Sequence, residues 1–185
     1  MQIGFIGAPG AGKDALADFF VREKGFNRFA FADRIKEEFY AFTGYTEEEF
    51  KAARNTPLEQ ELRNELWAYS AEQTKKDKLY FISPIVRAIQ ETTGSVVITD
   101  VRTELELRTI EIHDIRPILI LRNYKEELKG EHKFGIGKVI PGTKILVSRA
   151  IEFPIFWNDT NSLEETYVNL EKFYQELADQ EIEEN

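Results

Sequence analysis

The sequence predicts an α/β fold in which a parallel sheet is covered by helices on both faces. Three observations predict it. Apolar runs of strand length alternate with stretches of helical periodicity, the pattern of parallel crossover units. The first run, Gln2 to Gly7, stops at glycines and leads straight into a helical stretch. The strongest run, Ser95 to Thr99, is rich in β-branched residues and ends on Asp100, as a strand buried on both faces does at a sheet edge.

Taken in order, the elements follow from local chemistry. From Lys13, apolar residues recur at Leu16, Phe19 and Phe20, a helical spacing that Gly25 terminates. Phe29-Ala30-Phe31 reads as a second short strand, followed by a helix through Ile35, Phe39 and Phe42 that ends at Gly44. Thr46 and Glu49 have capping-box spacing. Thr56-Pro57-Leu58-Glu59 is a second start signal, with Leu58, Leu62 and Leu66 falling on one face. A helix is expected over Leu79 to Thr92, with Pro84 delaying or kinking it. Thr103 to His113 reads as a helix and Pro117 to Leu121 as a buried strand. Lys129 to Thr143, with four glycines, a proline and three lysines, reads as a loop. Lys144 to Val147 and Glu152 to Trp157 read as strands. Ser162 and Glu165 open a last helix whose stripe is Tyr167, Leu170, Phe173, Tyr174 and Leu177.

Bulk properties bound the function. The 185 residues suit one domain, and 42% hydrophobic with 31% charged residues is ordinary for a globular protein. No stretch approaches the roughly 20 apolar residues needed to span a bilayer, and no basic segment precedes the first apolar run, so neither a membrane partner nor a signal peptide is expected. The absence of cysteine suits a reducing cytoplasm. The net charge of -9, with five carboxylates after residue 175, disfavours long nucleic acid and leaves room for a small anion held by local cations.

Gly7-Ala8-Pro9-Gly10-Ala11-Gly12-Lys13 supplies such a site. Glycines let the backbone wrap with its N–H groups inward, the lysine adds a point charge, and the following helix start adds partial positive charge. A plain glycine turn with a surface lysine is the alternative, and the strand before and helix after weigh against it. Asp14 stands where such loops usually carry Ser or Thr. Either it complements the helix dipole, worth about 0.3–1 kcal/mol, or its carboxylate holds Mg²⁺ directly or through water.

Asp100 ends a strand where an open α/β sheet presents residues to its ligand crevice, the place for a metal-orienting carboxylate or a base. Arg102 projects near the same crevice, where a guanidinium can clamp a phosphate. Glu106, three residues after Thr103, completes a capping box as readily as it touches substrate. His113, on a helix, and His132, in a loop, have no partner at metal-ligand spacing; the Phe39/Phe42 stripe is read as helical core packing over base stacking, and Trp67 and Trp157 as core or crevice wall.

The segments Gly7 to Asp14, Phe31-Ala32-Asp33-Arg34-Ile35-Lys36, Asp100-Val101-Arg102 with Glu106, and Asn158 before Ser162-Leu163-Glu164 occur in an order that resembles the phage-type deoxynucleoside monophosphate kinases. The resemblance spans nearly the whole chain and is sharpest in the loop and the Asp-Val-Arg segment. It implies a three-layer α/β/α P-loop kinase fold over 1–185, with a helical acceptor-binding insert at 33–94 and a lid at 123–149. It implies ATP and Mg²⁺ as donor and metal, with Gly7, Ala8, Pro9, Gly10, Ala11, Gly12, Lys13, Asp14 and Ala15 around the phosphates. Asn158 is then near the adenine, and Asp14 and Asp100 are around the metal. Lys13, Asp14, Asp100 and Arg102 become the catalytic set, and Asp33, Lys36, Arg63 and Arg102 face the acceptor. The family's Arg-x-Leu-Leu-Gln stretch is here Arg63-Asn64-Glu65-Leu66-Trp67, without the glutamine. Arg122, Lys133, Lys138 and Arg149 are the lid cations. Related loops serve phosphomevalonate- and dephospho-coenzyme A-type kinases, and a nucleotide-binding module without transfer is the reading from another class.

Overall fold

The computed structural model describes residues 1–122, 140, 143–145, 147–150, 152–160 and 162–183. The lid residues Lys133 and Lys138, with His132 and most of 123–149, lie outside them. Strands are β1 (Gln2–Ile6), β2 (Asn27–Phe29), β3 (Val96–Val101), β4 (Arg116–Leu121) and β5 (Ile155–Trp157). Helices are α1 (Lys13–Lys24), α2 (Phe31–Thr43), α3 (Glu47–Ala52), α4 (Pro57–Lys76), α5 (Ile82–Glu91), α6 (Glu104–Ile112), α7 (Val147–Ala150) and α8 (Leu163–Glu183). The chain divides into two compact units, Met1–Arg28 with Gly94–Asn185, and Phe29–Thr93.

In the first unit the strands form a five-stranded parallel sheet in the order β2-β3-β1-β4-β5, flanked by helices. The α/β class and layered architecture are therefore as expected. One face carries Ile3, Phe5, Val97, Ile118, Ile120 and Phe156, packed against Leu16, Phe19 and Phe20 of α1 and Leu170 and Leu177 of α8. Alternation along β1 turns Gly4 to the other face, beneath α6. A Cβ on Gly4 would stand 2.6 Å from Ile110 Cδ1, so the missing side chain is what lets α6 close onto the middle strand. No helix among the described residues is long and apolar enough to cross a membrane.

Several elements shift from their sequence reading, each for a local reason. The strand expected at Phe29–Phe31 is Asn27–Phe29, because Phe31 already opens α2. Pro154 cannot donate to a ladder, so β5 begins only at Ile155, while the Pro154 carbonyl still accepts from Leu119 N at 2.9 Å. Lys144 and Ile145, read as the start of a strand, are not in one. Their backbone is occupied by the bonds Lys144 N to Arg102 O, 2.6 Å, and Ile140 N to Ile145 O, 3.0 Å, and Val147 starts α7. Thr103 and Glu106 form a complete capping box at α6, and Thr46 and Glu49 do so at α3. At α4, Pro57 takes the first position as expected, but Glu59 accepts the amide of Asn55 at 2.7 Å instead of that of Thr56.

In the second unit the buried apolar side chains are few, chiefly Phe31 and Phe39 of α2, Leu62 of α4, and Phe81, Ile82 and Ile89 at and within α5. The stretch read as a helical insert, 33–94, lies in this unit save for Gly94. So small an interior cannot cover every apolar side chain. Phe42, expected in the core, and Trp67, expected in the core or at a wall, are exposed, as is Leu58, although the Phe42 ring stacks on Tyr69 at 5.3 Å.

Phe20 is the hub of the α1 face, with ring centroids of Phe5, Phe19, Phe26 and Tyr174 between 5.0 and 6.0 Å away. Phe20→Ala is expected to cost about 3–5 kcal/mol. Urea titration will read this as a lower midpoint at nearly unchanged slope. Ile112→Ala, at a position 77% exposed, is expected to leave the midpoint in place.

Candidate active site

Parallel pairing fixes where the site lies. β1 and β3 are neighbours with Ile6 opposite Val101, so the loop after Ile6 and the segment Asp100–Arg102 emerge side by side at the carboxyl edge. From there α1 covers one face of the sheet and α6 the other, which opens a crevice between the two departures.

The loop is shaped by close approaches. A Cβ on Gly7 would lie 2.6 Å from the Ile120 carbonyl oxygen, so only glycine lets the chain leave β1 hard against β4. Gly10 and Gly12 have φ of 80° and 91°, the left-handed region that glycine enters without strain. Ala11 N donates to Ala8 O at 3.2 Å, closing a turn. Gly12 caps α1 without a side-chain acceptor, which leaves first-turn N–H groups for an anion.

Lys13 folds back over this loop. Its Nζ donates to the carbonyls of Gly7 at 2.8 Å and Ala8 at 2.9 Å, and the residue is buried. Burial pushes the ammonium pKa below its ordinary value and the nearby Arg102 guanidinium pushes the same way, while Asp14 and Asp100 oppose. Two cations held within reach of each other and partly removed from water form a site that an anion would relieve.

The carboxylates differ in setting. Asp100 is buried at the end of β3 beside Thr99. Asp14 projects from the first turn of α1 into solvent, 3.8 Å from an Arg28 guanidinium nitrogen that also donates to Thr99 Oγ1 at 3.4 Å. Among the described residues there is no cluster of three or more His, Cys, Asp or Glu fit to hold a metal. Two carboxylates near a lysine and a glycine loop nevertheless have the chemistry to hold Mg²⁺, which takes one or two protein carboxylates and completes its shell with phosphate oxygens and water.

Glu106 is the residue whose sequence reading was incomplete. As expected it caps α6: its Oε2 accepts from Thr103 N at 2.8 Å, and also from Arg102 N at 2.7 Å. The same position encloses the carboxyl. Burial, with Asp100 also raising it against the two amide bonds, lifts its pKa to about 7. The Thr103-to-Glu106 spacing identified the cap; nothing in the sequence identified Asp100 as its neighbour.

The remaining candidates divide. Asn158 reaches the loop, with Nδ2 donating to Ala11 O at 2.8 Å, and Ala15 O accepts from the Tyr167 hydroxyl at 3.4 Å. Arg122 directly follows β4 and is exposed. Arg149 is engaged away from the loop, paired with Glu111 and, at 2.8 Å, with Glu152, with its guanidinium over the Phe153 ring. In the second unit Lys36 lies 3.7 Å from Asp33 on α2, and Arg63 on α4 is paired with Glu59 at 2.7 Å. Sequence reasoning passed over Thr166 and Arg28, which carry no motif and acquire their partners by folding, and gave no role to Arg34, which pairs with Glu38 one turn along α2.

Glu106 yields a pH prediction. Its folded pKa, about 7, exceeds the ordinary 4.5 of an unfolded glutamate, so the folded state binds the extra proton between those values. Its contribution to stability is full below about pH 4.5 and is lost as pH rises through about 7, at up to about 1.4 kcal/mol per unit of displacement. Glu106→Gln keeps an acceptor for the two amides and removes the titration. Melting curves across pH 4.5 to 7.5 are expected to converge at the acid end and to separate in favour of the variant at the upper end; parallel curves would contradict the assignment.

No protein-family model matches the chain, and no curated protein matches its sequence.

Proposed function

We propose that this chain is an Mg-ATP-dependent phosphotransferase whose acceptor is a deoxynucleoside monophosphate. One observation carries the reading: Lys13, folded over a glycine loop at a helix start, and Arg102, leaving the adjacent strand, are close enough to perturb each other, with Asp14 and Asp100 beside them. A single bound phosphate chain needs one such anchor. Two cations with carboxylates nearby suit two phosphate groups meeting end to end.

In this reading the loop amides and Lys13 hold the donor phosphates, and the left-handed glycines keep that backbone concave. Arg102 holds the acceptor phosphate and keeps its oxygen in line. Asp100, buried at the strand end, orients that attacking oxygen. Mg²⁺ held through Asp14 and Asp100 would supply charge neutralisation when bound. Phosphoryl transfer asks little more of protein than such positioning and electrostatics. Asp33, Lys36 and Arg63 are proposed on the acceptor side from the resemblance, and Arg63 would have to exchange its Glu59 partner for phosphate. A cytoplasmic location suits the nucleotide substrates.

The test is acceptor-dependent release of ADP from Mg-ATP with each deoxynucleoside monophosphate in turn. No such release with any of them would refute the acceptor class. Release with phosphomevalonate or dephospho-coenzyme A alone would move the assignment to those kinases, and ATP binding without acceptor dependence would make the chain a binding module. Lys13→Ala is expected to weaken ATP binding or turnover by about tenfold or more. Arg102→Ala is expected to raise the acceptor requirement or lower turnover while retaining ATP. Equal loss of ATP binding in both variants would contradict the division into donor and acceptor sides.

A further inference from the structure

Asn158 follows β5 and is 6% exposed, so each polar atom of its side chain needs a partner inside the protein. Nδ2 donates to the carbonyl of Ala11 at 2.8 Å, and Oδ1 accepts from the Thr166 hydroxyl at 3.3 Å. Its main-chain N donates to Leu121 O at 2.7 Å, which ties it to the end of β4. Thr166 is itself buried in the first turn of α8. It shares its one proton between Asn158 Oδ1 and the Ser162 carbonyl, 2.9 Å away, and its oxygen meets the Thr160 hydroxyl. The loop is built against this side chain: a Cβ on Gly12 would run into Asn158 Nδ2.

The direction of the Ala11 carbonyl has a consequence one atom further on. In a trans peptide C=O and N–H point in opposite directions, so the bond from Asn158 turns the N–H of Gly12 away from Asn158. That N–H belongs to the glycine loop and immediately precedes Lys13. Without the bond, a peptide flanked by a residue in the left-handed region is free to rotate, and the ligand itself would then have to supply the ordering.

We infer that Asn158 is a positioning residue for phosphate recognition, clamping the Ala11–Gly12 peptide from behind while the Thr166 hydroxyl holds its amide. The inference rests on the reading of the loop as a nucleotide-phosphate site. It assigns Asn158 a different task from the adenine contact that the sequence resemblance implied. Both ends of the amide are engaged, Nδ2 on Ala11 and Oδ1 on Thr166, and at 6% exposure the side chain presents little surface to a base.

The two roles separate by probe. Calorimetric binding of Mg-ATP and of magnesium tripolyphosphate, which has no base, is measured on the wild type and on Asn158→Ala. A positioning role predicts that both ligands weaken by the same factor, about tenfold, the size of one hydrogen bond. Loss confined to ATP would overturn the inference in favour of adenine contact. Unchanged affinity for both, with only a lower melting temperature, would overturn it in favour of a purely structural role. Wild-type protein that binds neither ligand would refute the nucleotide reading itself. Thr166→Val, which keeps Asn158, is expected to show the same parallel loss at smaller size, with Thr166→Ser restoring both affinities. This pair decides the matter if Asn158→Ala does not fold.

Discussion

The parallel pairing of β1 with β3 is the constraint on which the rest of the site depends. Because both strands run the same way and lie next to each other, with Ile6 opposite Val101, two chain segments distant in sequence must emerge together. The glycine loop at 7–12 and the acidic and basic residues at 100–102 share one sheet edge for that reason alone. β4 on the other side of β1 completes the confinement, since its Ile120 carbonyl leaves no room for a side chain at position 7. The aromatic packing of Phe19 and Phe20 then fixes α1, and with it the place where Lys13 turns back over the loop.

Charge at this edge is arranged against its own folding. Lys13 is buried, next to another cation, and its ammonium is destabilised accordingly. Glu106 is enclosed near Asp100, and its carboxyl resists ionisation until near neutrality. Pairings of this kind lower the stability of the empty protein and raise the gain from a ligand that supplies opposite charge. Elsewhere the molecule behaves differently. Arg149 with Glu111 and Glu152, and Arg63 with Glu59, are satisfied by neighbours and create no such demand. Lys13 differs from these in that its partners are two main-chain carbonyls and no carboxylate is paired with it at salt-bridge distance among the described residues.

Legibility in the sequence tracked the range of the interaction. The glycine loop, the caps Thr46–Glu49 and Thr103–Glu106, the stops at Gly25 and Gly44, and the stripe of the last helix all depend on residues within about one helical turn, and each was readable. Pro154 shortened β5 by a rule that was equally local. What escaped depended on distant partners. Phe42 and Trp67 carry the composition of core residues, yet the unit they belong to has too little interior to hold them. Arg149 reads as a free cation until α6 brings Glu111 beside it. Lys144 and Ile145 read as the start of a strand until their backbone bonds to Arg102 and Ile140 are in place.

By itself the sequence determined the α/β class, the position of the glycine loop and the residue types at the ends of β1 and β3, because periodicity, glycine conformation and capping act over short separations. Only the tertiary structure decided which charges stand together, that Glu106 is both cap and buried neighbour of Asp100, and that Asn158, 147 residues from Ala11, holds the loop peptide. Hydrogen bonds and desolvation act through space over a few ångströms, and no sequence pattern encodes which residues the fold will bring within that distance.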